Sequence, residues 1–302
     1  MKGRVRYHES LLDISESCAL LRRNIHRIEK GLIMRPRRNI FAEGFVQETV
    51  DCYCDSINSK KLAINEKKWA TDVLEEYFNI VGSTSITNQA KKTYIEARKG
   101  LLNTSDFKVD FPSVNDKFKP YSYDKLPVST INFEELKQLF IRRRSVRWYQ
   151  KKKVPLELIN KAVSIASFAP SACNRQPYRF FFCNDKKKAV AIAECAGGTA
   201  GFSENIPAII AIVGDLSAYP NERDRHLIYI ELMLALETLG LSTCSLNWPD
   251  IDENEHKIRN IIDLKDYERV VMLLAIGYAD STGGIPYSQK KDSNLILEDI
   301  SK

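Results

Sequence analysis

Ala169-Pro170-Ser171-Ala172-Cys173-Asn174-Arg175-Gln176-Pro177 stands between a helical stripe and a strand-like run. Two prolines bracket small and amide residues, so the segment breaks regular structure and lets backbone approach a neighbour closely. On these residues alone two readings stay open. One is a loop merely stiffened by proline; the other is a loop whose Asn174 and Gln176 read the edge of a planar heterocycle. Upstream, Pro155 marks a helix start, and Leu156, Ile159, Val163 and Ala166 supply its buried stripe. Downstream, Tyr178–Cys183, Ala208–Val213, Leu241–Ser245 and Val270–Ile276 read as strands by their β-branched and aromatic content. Between two of them, Leu227 to Leu239 is apolar on nearly every side. Such a helix must be covered all round, by its own domain or by a second subunit.

Moving toward the N-terminus, a stretch from Ser105 to Thr130 holds Pro112, Pro120 and Pro127 among Ser, Asp, Asn and Lys, with no period. It reads as a linker, dividing the chain into residues 1–128, a helical extension, and residues 129–302, an alternating helix–strand domain. In the extension, Val46, Val50, Tyr53 and Ile57, then Trp69, Val73 and Tyr77, recur at helical spacing. An earlier helix is expected from about Ser10 to Lys30 with Gly31 as its C-cap. Four or five helices and little sheet are expected there.

Bulk properties narrow the function. The chain has 302 residues, 44% of them hydrophobic and 28% charged, as in an ordinary globular protein. His8, Glu9, Asp13 and Glu16 fall where a secretion signal would need apolar residues, and no apolar run approaches a membrane span. Seven cysteines without a C-x-x-C pair and four scattered histidines suggest reduced thiols in a cytoplasm and no metal site. The net charge of +6 is uneven: residues 1–130 hold 22 Lys/Arg against 17 Asp/Glu, the remainder 23 against 22. The basic stretch Arg22–Arg38 reads as a solvated helix face and loop rather than a nucleic-acid surface. Gly197-Gly198-Thr199-Ala200-Gly201 has the wrong spacing for a dinucleotide fingerprint, so no Rossmann domain is expected.

A second constellation, Arg142-Arg143-Arg144-Ser145-Val146-Arg147, ends the helix marked by Phe133, Leu136 and Phe140. Guanidinium groups pair bidentately with phosphate and the serine hydroxyl adds a donor, though a solvated basic turn has the same letters. Together the two segments resemble the FMN-binding signature of the nitroreductase family, R-R-S-x-R followed by P-S-x-x-N-x-Q-P. Gly240-Leu241-Ser242-Thr243-Cys244 resembles that family's G-L-x-x-C strand, and Ile276-Gly277-Tyr278 its I-G-Y ending. The likeness covers residues 131–290. Asn24–Leu32 with Arg37 and Phe41 looks similar to the extension of longer family members.

The resemblance implies an α+β fold: a three-layer core of mainly antiparallel mixed sheet flanked by helices, preceded by the all-helical N-terminal region. It implies FMN as cofactor, a homodimer, and NADH or NADPH as co-substrate stacking on the exposed flavin. Arg143, Arg144 and Ser145 would hold the phosphate and ribityl region, and Arg147 the pyrimidine edge. Pro170, Ser171 and Ala172 would pack on the isoalloxazine from the partner subunit, with Asn174 also bonding FMN. Leu246 and Asn247 would present backbone near flavin N5, and Lys290 and Lys291 are candidates for the phosphate. No dedicated acid or base is required, since the flavin carries the chemistry. The expected reaction is ping-pong transfer from NAD(P)H to a small electron-poor acceptor, a nitroaromatic or quinone. The alternatives are a dehydrogenase or dehalogenase on the same fold, and an inactive basic binding protein.

Overall fold

The computed structural model describes residues 13–99, 117–217, 223–249 and 251–301. The start of the helix expected from Ser10 and most of the first half of the proline-rich stretch lie outside them.

Among the described residues, four helices form the N-terminal part: α1 (Ala19–Leu32), α2 (Glu43–Asn58), α3 (Ile64–Ile80) and α4 (Ser85–Arg98). Their periodic residues do what the spacing predicts. Val46, Val50, Tyr53, Val73 and Tyr77 are wholly buried in one cluster with Leu21, Ile25 and Ile28. Each such aliphatic side chain contributes about 1.5–3 kcal/mol by leaving water. Tyr77 keeps its hydroxyl satisfied by donating to the Phe41 carbonyl at 2.8 Å, with the two rings edge to face.

Two expectations for α1 are corrected. Residues 13–18 are irregular, and the helix begins at Ala19. Gly31 lies inside the helix and the C-cap is Ile33. Glycine is needed at position 31 for another reason: a Cβ there would sit 2.4 Å from two ring carbons of Phe41.

Beyond the proline-rich stretch come α5 (Phe133–Arg142), α6 (Leu156–Ala166), β1 (Tyr178–Cys183), α7 (Lys186–Glu194), β2 (Ala208–Asp215), α8 (Arg223–Thr238), β3 (Ser242–Asn247), α9 (Asp252–Arg259) and β4 (Glu268–Gly277). The strands form one sheet, ordered β1-β2-β4-β3, with every neighbouring pair antiparallel. A single parallel bridge, Ser145 to Thr243, adds the segment after α5 to the outer edge of β3.

Strand alternation sorts the core into two layers. Ala208, Ile210 and Ile212 of β2 face α6 and α8, in a cluster with Ile159, Ile228, Leu232 and Leu236. Ile209, Ala211 and Val213 face the other way, toward α7 and α9, with Ile192 and Ile258. The result is the α+β, three-layer core expected from the sequence.

The helix expected to be covered all round, by its own domain or a second subunit, is covered only in part by its own domain. Ile228, Leu232 and Leu236 are buried, but Leu227 and Ile230 are 45% and 47% exposed. Leu156, assigned to the buried stripe of α6, is also exposed. α5 forms as expected, yet none of its residues is buried: Phe133, Phe140 and Ile141 all face outward.

α8 ends at Thr238, and just past it Gly240 has a φ of +75°, in the left-handed region. Leu241 N–H reaches back to the Leu236 carbonyl at 3.0 Å, closing the turn that launches β3. Because a Cβ would meet open space there, a Gly240→Ala substitution costs only the backbone conformation, about 1–2 kcal/mol. A urea titration is expected to show a lower midpoint with an unchanged slope.

Candidate active site

The arginine run is stitched into the fold by backbone. Asn132 caps α5, accepting from Glu135 N–H, and the helix ends at Arg142 with Arg143 as its C-cap. The chain then extends: Val146 N–H donates to the Thr243 carbonyl at 2.9 Å, and Gln150 N–H to the Tyr278 carbonyl at 2.8 Å. Tyr149 pairs with Ala279 across an antiparallel bridge, and its buried hydroxyl donates back to the Val146 carbonyl. Three motifs that are well separated in sequence thus meet: Arg143–Arg147, the start of β3, and the end of β4.

Around this junction the side chains are partly buried and cationic. Arg142 is exposed and pairs with Glu237 of α8 at 3.0 Å. Arg144 donates to the Pro286 carbonyl at 2.7 Å and to the Tyr287 carbonyl, fixing the start of the C-terminal tail. Arg147 lies 5.6 Å from the Phe202 ring, and its carbonyl accepts from Asn205 at 2.7 Å. The Thr243 hydroxyl, beside Ser145 in register, is buried with no hydrogen-bond partner. At the end of β3, Leu246 is buried and Asn247 exposed. Lys290 and Lys291 are exposed in the tail, three and four residues past the carbonyl that Arg144 holds.

The proline-bracketed loop lies elsewhere. It leads into β1, whose Tyr178 pairs with Gly214 of β2, and Gly214 pairs with Arg269 of β4. The arginine run instead meets Thr243, which pairs with Ile276 near the opposite end of β4. The two segments therefore occupy opposite edges and opposite ends of the sheet. With strands about 4.8 Å apart and about 3.3 Å of rise per residue, Tyr178 and Thr243 are roughly 25 Å apart.

Within the loop, Cys173, Asn174 and Gln176 have φ of 52°, 50° and 49°, conformations that only asparagine among them adopts readily. Hydrogen bonds hold them: Asn174 N–H donates to the Ser171 carbonyl, and Gln176 N–H to the Ser171 hydroxyl. The Gln176 side chain is engaged within the chain. Its amide nitrogen donates to the Ser167 carbonyl at 2.9 Å, and its amide oxygen accepts from Arg22. Pro170 is exposed, and Ser171, Ala172 and Asn174 are half-buried.

Glu237 escaped the sequence reading, hidden within an apolar helix, and Arg22, read as part of a solvated face, is instead buried and lies 152 residues from its contact, Asn174. Local periodicity carries no trace of either pairing.

The profile of the Nitroreductase family matches residues 141–200 and 204–278. Among curated proteins, an iodotyrosine deiodinase of Thermotoga neapolitana is 28% identical over 163 residues, covering 46% of this chain and 86% of its own. A protein of Archaeoglobus fulgidus, named as an NADH dehydrogenase/NAD(P)H nitroreductase, is 27% identical over 150 residues, covering 48% and 86%. The fold is shared by a Bacillus subtilis structure named as a nitroreductase, with a TM-score of 0.50 at 19% identity over 56% of this chain and 100% of that one.

Burial raises the pKa of Glu237 above the usual glutamate value, and Arg142 and Arg143 only partly oppose it. A raised carboxyl pKa means the folded state holds the proton more tightly. Stability is therefore lost as pH rises from the ordinary glutamate value through the raised one. In urea titrations across that window, Glu237→Gln is expected to lessen the fall in midpoint seen with the unaltered chain. An identical fall in both would show that Glu237 titrates normally.

Proposed function

We propose that this chain, which belongs to the nitroreductase family through its C-terminal half, is a homodimeric FMN-dependent oxidoreductase. Its reducing equivalents come from NADH or NADPH and pass to a small electron-poor acceptor such as a nitroaromatic or quinone. The observation that carries the reading is the meeting of Arg143–Arg147 with the β3 and β4 motifs at one sheet edge.

The donors present there fit a flavin phosphate and its ribityl chain. Arg143 and Arg144 supply fixed cations, Ser145 a hydroxyl, and the orphaned Thr243 hydroxyl awaits a polar partner. Arg144 spends part of its fork on Pro286 and Tyr287, which keeps Lys290 and Lys291 within about 14 Å of that anchor. Placed at the pyrimidine edge, the Arg147 guanidinium stabilises negative charge developing there. β3 is the outer strand of the sheet, and Leu246 and Asn247 present backbone along its free edge beyond Thr243. Bound FMN supplies the redox chemistry, accepting hydride from the nicotinamide and giving it up to the acceptor.

One chain holds Pro170, Ser171, Ala172 and Asn174 too far from this edge to serve the same flavin. A two-fold partner solves that geometry and covers the outward apolar faces of α5 and α8. Helices α1 to α4 act as a helical domain packed against the C-terminal domain, narrowing access to the flavin. A second reading, reductive dehalogenation, is favoured by the likeness to an iodotyrosine deiodinase.

The purified protein is expected to be yellow, with a flavin spectrum that bleaches on anaerobic addition of NADH or NADPH. Turnover with nitroaromatics and quinones, against turnover with 3-iodotyrosine, separates the two readings. No flavin spectrum after incubation with FMN would contradict both. Arg143→Ala with Ser145→Ala is expected to weaken FMN binding at least about tenfold in a fluorescence titration. Ile230→Glu is expected to give a flavin-free monomer in small-angle scattering.

A further inference from the structure

Arg22 is a buried cation of α1 that serves three acceptors in two parts of the chain. Its Nε donates to the Asn174 carbonyl at 2.7 Å, and one Nη donates to the Gln176 amide oxygen at 3.3 Å. Its other Nη pairs with Glu66 of α3. The guanidinium also lies 5.2 Å from the Trp69 ring centre, and Trp69 donates to Glu29 at 3.0 Å. The N-terminal helices thus fix the direction of the fork, and the fork meets the loop at two of its three non-glycine residues with positive φ. Those conformations each cost free energy and persist only where the surroundings enforce them.

We propose that Arg22 is a positioning residue for the Pro170–Pro177 loop, so that the helical N-terminal part sets how well this loop meets the partner subunit's flavin. The assignment of the loop to a flavin rests on the function proposed above. Arg22 itself touches no cofactor; it acts by holding Asn174 and Gln176 in place. A planar guanidinium is required, because a lysine ammonium cannot present directed donors to two loop acceptors while pairing with Glu66.

Two variants of the full chain test this. Arg22→Lys keeps the buried charge pair. Arg22→Met with Glu66→Leu removes both charges together, avoiding a stranded carboxylate. Cys173 lies in the strained run and is half-buried, so its rate of maleimide labelling, located by mass spectrometry, reports loop order without any flavin. Both variants are expected to retain the helical circular dichroism of the parent. Labelling at Cys173 should rise by about tenfold in the double variant and less in Arg22→Lys, while FMN affinity falls in the same order. Unchanged labelling at Cys173 in either folded variant would overturn the proposal. If the parent binds no FMN, the flavin reading fails, and Cys173 labelling alone still decides whether Arg22 orders the loop. Faster labelling with unaltered FMN affinity in a parent that binds FMN would overturn the link to the cofactor.

Discussion

An antiparallel sheet ordered β1-β2-β4-β3 separates what the sequence places close together. The arginine run and the proline-bracketed loop are about 25 residues apart along the chain. Yet α6 carries the chain across a face of the sheet between them, and they end at diagonal corners. Hydrogen-bond register leaves little freedom here: a shift by one residue in β2 or β4 would exchange the two buried faces. Each corner consequently holds half of an expected cofactor site, and the proposed dimer follows from that register as much as from the family likeness.

The outer surfaces agree with this division. α8 buries Ile228, Leu232 and Leu236 against the sheet but leaves Leu227 and Ile230 outward, and α5 buries nothing. An amphipathic helix with no covered face gains little from packing, so its hydrophobic side is stabilised only by another surface. Phe133, Phe140 and Ile141 lie on the helix that delivers Arg143 and Ser145. Association through these residues would couple cofactor binding to assembly.

Most elements of the C-terminal domain were legible in the sequence because each has a clear period or a continuous apolar run. The four strands were read within three residues of their observed ends, and Pro155 stands at a helix start as local chemistry demands. What escaped was nonlocal. Gly31 looks like a helix terminator until the Phe41 ring is seen against it. Leu227 and Ile230 look like core until the layers are counted. Gln176 looks like a ligand reader, but its amide is occupied at both ends by Ser167 and Arg22. Glu237 and Arg22 gain their meaning only from partners that no spacing rule connects. The motif suggests roles for Arg143, Ser145 and Asn174, and the sheet register sets the first two and the last at opposite corners.

The central claim is that each flavin site is built from two chains, and mixed dimers test it most directly. One chain would carry Arg143→Ala and Ser145→Ala, the other Ser171→Gly and Asn174→Ala, with different affinity tags. Each homodimer should lose flavin. In a mixed dimer one site collects every defect and the other is intact, so tandem purification should recover about one flavin per pair of chains. Mixed dimers as empty as either homodimer would contradict the account and require each chain to build its site alone.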